Sequence, residues 1–99
     1  MLTSKQRAYL RGLGHVQSAI FQIGKGGIND NMISQISDAL EARELIKITV
    51  LETAFMTARS ACEELCEQLS AEPVQCIGNK LVIYRQSSDK DKRKIELPR

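Results

Sequence analysis

Gly24-Lys25-Gly26-Gly27 closes an apolar, strand-like run, and Asn29 starts a helix signal at once behind it. Three glycines in four positions leave the backbone nearly bare, so a ligand's own backbone can come close. The helix that follows aims its first free N–H groups, and its positive dipole end, toward that place. Lys25 adds a mobile positive charge. These features suit a phosphate. The G-x-x-x-x-G-K-[ST] pattern of a nucleotide P-loop is not met, and the G-x-x-G spacing suits the sugar–phosphate backbone of RNA better. The plainer alternative is a turn that merely reverses the chain; Lys25, the strand before and the helix after favour phosphate binding.

Other residues could extend that contact. Lys5, Arg7 and Arg11 stand in a stretch without acids, where the competing reading is a solvated helix face. His15, the only histidine, serves either an RNA contact or the end of a helix. Lys47 and Arg85 fall on strands, where alternation directs them to a solvent face. Tyr9 and Tyr84 could stack on bases, although aromatic residues at such spacings more often complete a core. Cys62 and Cys66 lie one helical turn apart; without a second clustered pair, packing is favoured over a metal site. A lone histidine with no evident nucleophile gives catalysis little to work with, so no enzyme activity and no cofactor is expected. Glu63, Glu64 and Glu67 read as the wet side of a helix.

The whole chain bounds these readings. Ninety-nine residues make one domain with one modest core. A hydrophobic content of 42% and a charged content of 26% are ordinary for a soluble protein. No apolar run approaches the roughly 20 residues of a membrane span, and the N-terminus lacks a signal-peptide core, so the cytoplasm is the expected compartment. The net charge of +2 is unevenly spread. Residues 1–29 hold Lys5, Arg7, Arg11 and Lys25 and no acid, residues 30–79 are acidic, and residues 80–99 are basic again. If the two ends meet, one face is basic, an electrostatic footprint for nucleic acid.

Local patterns supply the elements that must position these residues. Thr3 with Gln6 forms a capping-box signature for a helix from Ser4 to about Leu13, with Gly14 as its C-terminal cap. Val16–Ile23 reads as a strand. Met32, Ile33, Ile36, Ala39 and Leu40 mark an amphipathic helix from Asn29 to about Arg43. Leu45–Leu51 is a β-branched strand. A third helix starts between Thr53 and Thr57 and ends near Ser70, with Ala58, Ala61, Cys62, Leu65 and Leu69 as its buried stripe; Pro73 bars its continuation. Val74–Ile77 and Lys80–Gln86 are strands joined by a Gly78-Asn79 hairpin turn. The α-β-α-β-α-β-β order is that of an α/β (α+β) domain over residues 1–86: a four-stranded mixed sheet covered by helices. The charged stretch 87–99 is expected to be a flexible tail.

Four ordered blocks carry a family resemblance. LTSKQRAYLRGLGH (Leu2–His15), FQIGKGGIND (Phe21–Asp30), ALEARELIKI (Ala39–Ile48) and VQCIGNKLVIYR (Val74–Arg85), with KIELP near the end, resemble the YhbY/CRM family, the chloroplast RNA splicing and ribosome maturation domain. The resemblance implies a compact sheet-and-helix fold similar to KH-like domains and to the C-terminal domain of initiation factor three. It implies RNA binding without catalysis. Gly24, Lys25, Gly26 and Gly27 correspond to the family's loop, Lys5, Arg7, Arg11 and His15 to its polar opening-helix region, and Arg85 to the basic residue closing its last strand. Ser18 and Ala19 stand where the family commonly has lysine and proline, which loosens the approach to the loop.

The expected function is binding of ribosomal RNA, in precursor large-subunit particles, by a monomeric assembly factor. A protein-interaction adaptor whose acidic middle docks a basic ribosomal or assembly protein is the competing class. With four aromatic residues in the chain, recognition should rest on backbone and shape rather than on base sequence.

Overall fold

In the computed structural model, residues 2–99 are described; Met1, the first residue of the expected domain, lies outside them. Helix α1 spans Ser4–His15, strand β1 Phe21–Ile23, helix α2 Asp30–Arg43 and strand β2 Leu45–Val50. Helix α3 (Ala58–Leu69) follows a short 3-10 turn at Glu52–Ala54, and strands β3 (Glu72–Ile77) and β4 (Lys80–Tyr84) close the sheet. The strand order is β1-β2-β4-β3. β1 and β2 are parallel, whereas β4 is antiparallel to both β2 and β3. β3 therefore runs in the same direction as β2 without pairing to it: the hairpin strand β4 occupies the place between them.

Alternation along the two central strands divides the core. Ile46, Ile48, Leu81 and Ile83 face α2 and α3, where Ile36, Leu40, Ala61, Cys62 and Leu65 meet them. Leu45, Val82 and Tyr84 point to the other side, where Leu2 and Leu10 cover them. The chain is thus layered helix–sheet–helix, with α1 alone on one face.

Helix ends obey local chemistry. The Gln6 N–H donates to Thr3 Oγ1 at 3.1 Å, and the Thr3 N–H donates to Gln6 Oε1 at 3.1 Å, completing the box. Asn29 Oδ1 accepts from the Met32 N–H at 2.8 Å and starts α2. A second capping box, Thr57 with Ser60, sets the start of α3 that the apolar pattern leaves open. All five residues of the expected α3 stripe are buried.

Four local expectations change. Gly14 does not end α1: it is inside the helix, and an added Cβ would stand 3.1 Å from Val82 Cγ1. Its value is close helix–sheet approach rather than a left-handed cap. The first strand shrinks to Phe21–Ile23, because Val16–Ala19 must carry the chain from above β4 to the far side of β2; Val16 is 82% exposed, and ladder bonding begins with the Ile20 N–H donating to the Lys47 carbonyl. Pro73 lies inside β3, at a register shift on the edge strand, where a missing N–H does least harm. The stretch 87–99, expected to be a free tail, lies against the domain. Glu44 is fully buried and accepts N–H bonds from Ser87, Lys94 and Ile95, while Ile95 and Leu97 pack beside the α1 side of the core. Gln6 Nε2 also donates to the Pro98 carbonyl at 3.0 Å. A buried carboxylate needs several donors to be tolerated, and this segment supplies them.

Candidate nucleic-acid interface

The loop begins where β1 ends. Ile23 is fully buried, and Gly24 sits against the turn after β2: an added Cβ would lie 3.5 Å from Leu51 Cδ1 and 3.6 Å from Thr53 Oγ1. The Gly27 N–H donates to the Gly24 carbonyl at 2.9 Å, closing a tight turn with Lys25 and Gly26 exposed at its tip. Gly27 has φ +63°, a conformation that favours glycine. The space above it is open, since a Cβ there meets nothing within 4 Å, and one at Gly26 meets only Asn29 Nδ2 at 4.0 Å. α2 points its N-terminus at this place, although Asp30 in its first turn offsets part of the dipole. Lys25 and the bare glycine backbone are the stronger attraction for an anion.

Strand direction carries the site onward. β1 and β2 both finish at the end of the sheet where β4 begins. The Val50 N–H donates to the Asn79 carbonyl at 2.7 Å, tying the hairpin tip to that end. Register then builds a row across all four strands: Gln22 opposite Thr49, Thr49 opposite Lys80, and Lys80 opposite Ile77. Gln22 is two residues before Gly24, so the row starts at the foot of the loop. Lys80 Nζ donates to Thr49 Oγ1 at 3.1 Å, which holds its ammonium over the sheet. Lys47 is opposite Val82 in the next row, so it and Lys80 are diagonal neighbours, about 7–8 Å apart by sheet geometry.

His15 completes this patch. It lines a cleft of about 230 Å³ with Lys47, Gln75, Ile77, Lys80 and Val82, no acid among them. Arg11 and Arg7 stand four and eight residues before His15, so the three share one flank of α1. Arg7 leans toward the β3 edge, its Nε donating to the Pro73 carbonyl at 3.2 Å. Lys5 is exposed on a different flank. The loop, the sheet row, His15 and Arg11 thus form one basic path.

Arg85 stands apart, beyond the opposite end of β4. Its guanidinium donates to the Leu69 carbonyl at 3.0 Å and to the Ser37 carbonyl and Oγ at 3.1 and 3.0 Å, with Glu41 at 3.5 Å. These bonds join α2 to the end of α3 and engage both terminal nitrogens of the guanidinium. Lys80, conversely, escapes sequence reasoning. The alternation of Lys80, Val82 and Tyr84 could have placed it on the α1 face; only the register shows what lies beside it.

The remaining candidates divide by burial. Tyr84 is buried in the core, and burial, with the Glu44 carboxylate nearby, raises its hydroxyl above the ordinary value. Cys62, Cys66 and Cys76 form a thiol cluster. Hydrogen bonding to Cys66 and burial push Cys62 up, hydrogen bonding from Cys62 lowers Cys66, and burial with the Cys62 contact takes Cys76 to about 11. Among the described residues no group of three or more potential ligands could hold a metal ion. No helix among them is long and apolar enough to cross a membrane.

The fold and the path define a class: a small helix–sheet–helix domain presenting a glycine loop beside a basic sheet face. The chain matches the CRS1 / YhbY (CRM) domain over residues 2–85, and it belongs to that family. It is 49% identical to the probable RNA-binding protein YqeI of Bacillus subtilis, covering 99% of this chain and all of that one. A protein of Haemophilus influenzae named RNA-binding protein is 34% identical, over 99% of this chain and 96% of its own length. The solution structure of the hypothetical protein SAV1595 from Staphylococcus aureus, proposed to bind RNA, superposes with a TM-score of 0.77. Its sequence is 50% identical, and the match covers 99% of this chain and all of that chain.

Proposed function

We propose that this protein binds RNA without catalysing a reaction, and that its ligand is ribosomal RNA in precursors of the large subunit. The carrying observation is the path from Gly24–Gly27 through Lys80 and Lys47 to His15 and Arg11, with no acid in the cleft at its centre. The names of the Bacillus and Haemophilus relatives support the same ligand class. Gly24, Lys25, Gly26 and Gly27 take backbone phosphates. Lys5, Arg7, Arg11 and His15 widen the contact from α1, and the lysines on the sheet lie between. Acting as a cytoplasmic monomer, the protein would hold an rRNA segment in a usable shape or shield it from wrong pairing.

The test is RNA affinity at two salt concentrations for the wild type and a Lys25→Asp/Gly26→Asp double variant, with precursor large-subunit rRNA as ligand. Circular dichroism checks the fold; Lys25 and Gly26 are exposed, so the variant should fold. Four phosphate contacts give a log–log salt slope of roughly −3 for single strands. The expected result is salt-sensitive binding that the variant loses. Unchanged binding by the variant would remove the loop from the site. Absence of wild-type binding at both salts would favour the adaptor reading, in which the acidic middle of the chain docks a basic ribosomal or assembly protein.

A further inference from the structure

Phe55 is 93% exposed, the most exposed large hydrophobic side chain among the described residues. It also adopts φ +53°, a left-handed conformation that a bulky non-glycine residue rarely holds. Burial and relaxed backbone geometry are both forgone at this one position. The surrounding turn is nonetheless well anchored. Ala54 and Met56, on either side, pack against the core. The Ala54 N–H donates to the Leu51 carbonyl at 3.0 Å, and the Phe55 N–H donates to the Glu52 carbonyl at 3.1 Å. With both neighbours turned inward, the phenyl ring is held outward.

The same turn is fastened to the glycine loop. The Leu51 N–H donates to the Ile23 carbonyl at 2.8 Å, extending the β1–β2 ladder to the last residue before Gly24. Thr53 borders Gly24 directly. Phe55 is only two residues further on, at most about 7 Å of chain. An exposed aromatic residue thus belongs to the same anchored turn that borders the position proposed to grip a phosphate.

We infer that Phe55 is a stacking platform for one unpaired RNA base whose flanking phosphate lies on the Gly24–Gly27 loop. This inference rests on the RNA-binding function proposed above and adds single-stranded structure to the ligand. Exposed Glu52, Thr53 and Thr57 surround the ring in sequence. A lone phenyl among polar residues is too small for a protein-docking core and large enough for one base. Glu52 repels phosphate from the turn itself, which directs the strand's backbone toward Lys25 and its base toward the ring. Stacking is indifferent to base identity, because every base has a π-face.

The experiment compares the wild type, Phe55→Ala and Phe55→Trp for binding to a 12-nucleotide single strand and to a duplex of the same length, over a series of salt concentrations. Phe55→Ala should weaken single-strand binding on the order of 5- to 150-fold (about 1–3 kcal/mol), leaving duplex affinity and the salt slope unchanged. Phe55→Trp should retain the affinity, and its indole, the only one in a chain without tryptophan, should change fluorescence on binding. Equal affinity of Phe55→Ala and the wild type overturns the stacking role while leaving RNA binding intact. Failure of the wild type to bind either RNA overturns the underlying function instead.

Discussion

Glu44 Oε1 accepts the backbone N–H of Lys94 at 2.8 Å, joining the last residue before β2 to a segment fifty positions later. The same oxygen takes the Ile95 N–H at 3.0 Å, and Oε2 takes the Ser87 N–H at 2.8 Å. Burial alone would raise this carboxyl. The three N–H donors and the charge of Arg93 outweigh burial and hold it below its ordinary value of 4.5. A depressed folded-state value means the stabilisation is present above the unfolded value near 4.5 and is lost as pH falls through the lower, folded one. Glu44→Ala should cost on the order of 3 kcal/mol, because one buried and two partly buried donors lose their acceptor. Denaturant melts between pH 7 and pH 3 should show the wild type losing part of its margin below about pH 4.5. Glu44→Gln should lack that component, and an identical acid profile for the two would contradict the role.

Arg85 should prove structural. Phe55→Ala and Lys25 variants should alter binding in a folded protein, whereas Arg85→Ala leaves the Leu69 and Ser37 acceptors without their donor. The expected loss is about 2–3 kcal/mol of stability, as for hydrogen bonds to a charged group. Arg85→Lys should recover little, since one ammonium cannot reproduce the planar fork. Urea denaturation measures both. An RNA-binding defect with unaltered stability would return Arg85 to the interface.

Two glycines of α1 should respond oppositely to alanine. A Cβ at Gly12 meets nothing within 4 Å, so Gly12→Ala should stabilise by about 1 kcal/mol through helix propensity. At Gly14 the same Cβ presses on Val82, a β-branched residue in a central strand with little freedom to turn away. Gly14→Ala should show none of that gain, and Gly14→Val should cost about 1–3 kcal/mol from overpacking. Thermal melts of the three variants decide whether close approach is what position 14 requires.

The sheet lysines should reveal themselves in the salt dependence of RNA binding. Neutralising Lys47 and Lys80 to Gln removes at most two phosphate contacts, so the log–log slope should become shallower by up to roughly 1.4 for a single strand. A parallel shift of affinity without a slope change would mean that the lysines act indirectly. Thr49 then becomes the next suspect, as the residue that holds Lys80 Nζ.

Much of this molecule is legible in short windows of sequence. Thr3 and Gln6 are three residues apart, the α3 stripe repeats at three and four, and Gly78-Asn79 spans one turn; each is a relation among neighbours that local backbone geometry dictates. The glycine loop is legible for the same reason, since Gly27 needs its left-handed φ whatever surrounds it. Lys80, Arg85 and Gly14 are not legible in this way, because their surroundings depend on partners far along the chain: Thr49 for the first, Ser37 and Leu69 for the second, Val82 for the third.

By itself, then, the sequence determined the order of helices and strands, where the first two helices begin, and that a bare, cationic loop joins β1 to α2. Tertiary structure alone decided that β4 separates β2 from β3, that residues 87–99 return to Glu44, and that Lys80 and His15 share a cleft. The physical reason is range. Propensity, capping and turn chemistry act over a few residues. Strand register, helix docking and the satisfaction of a buried carboxylate are settled only when distant segments meet.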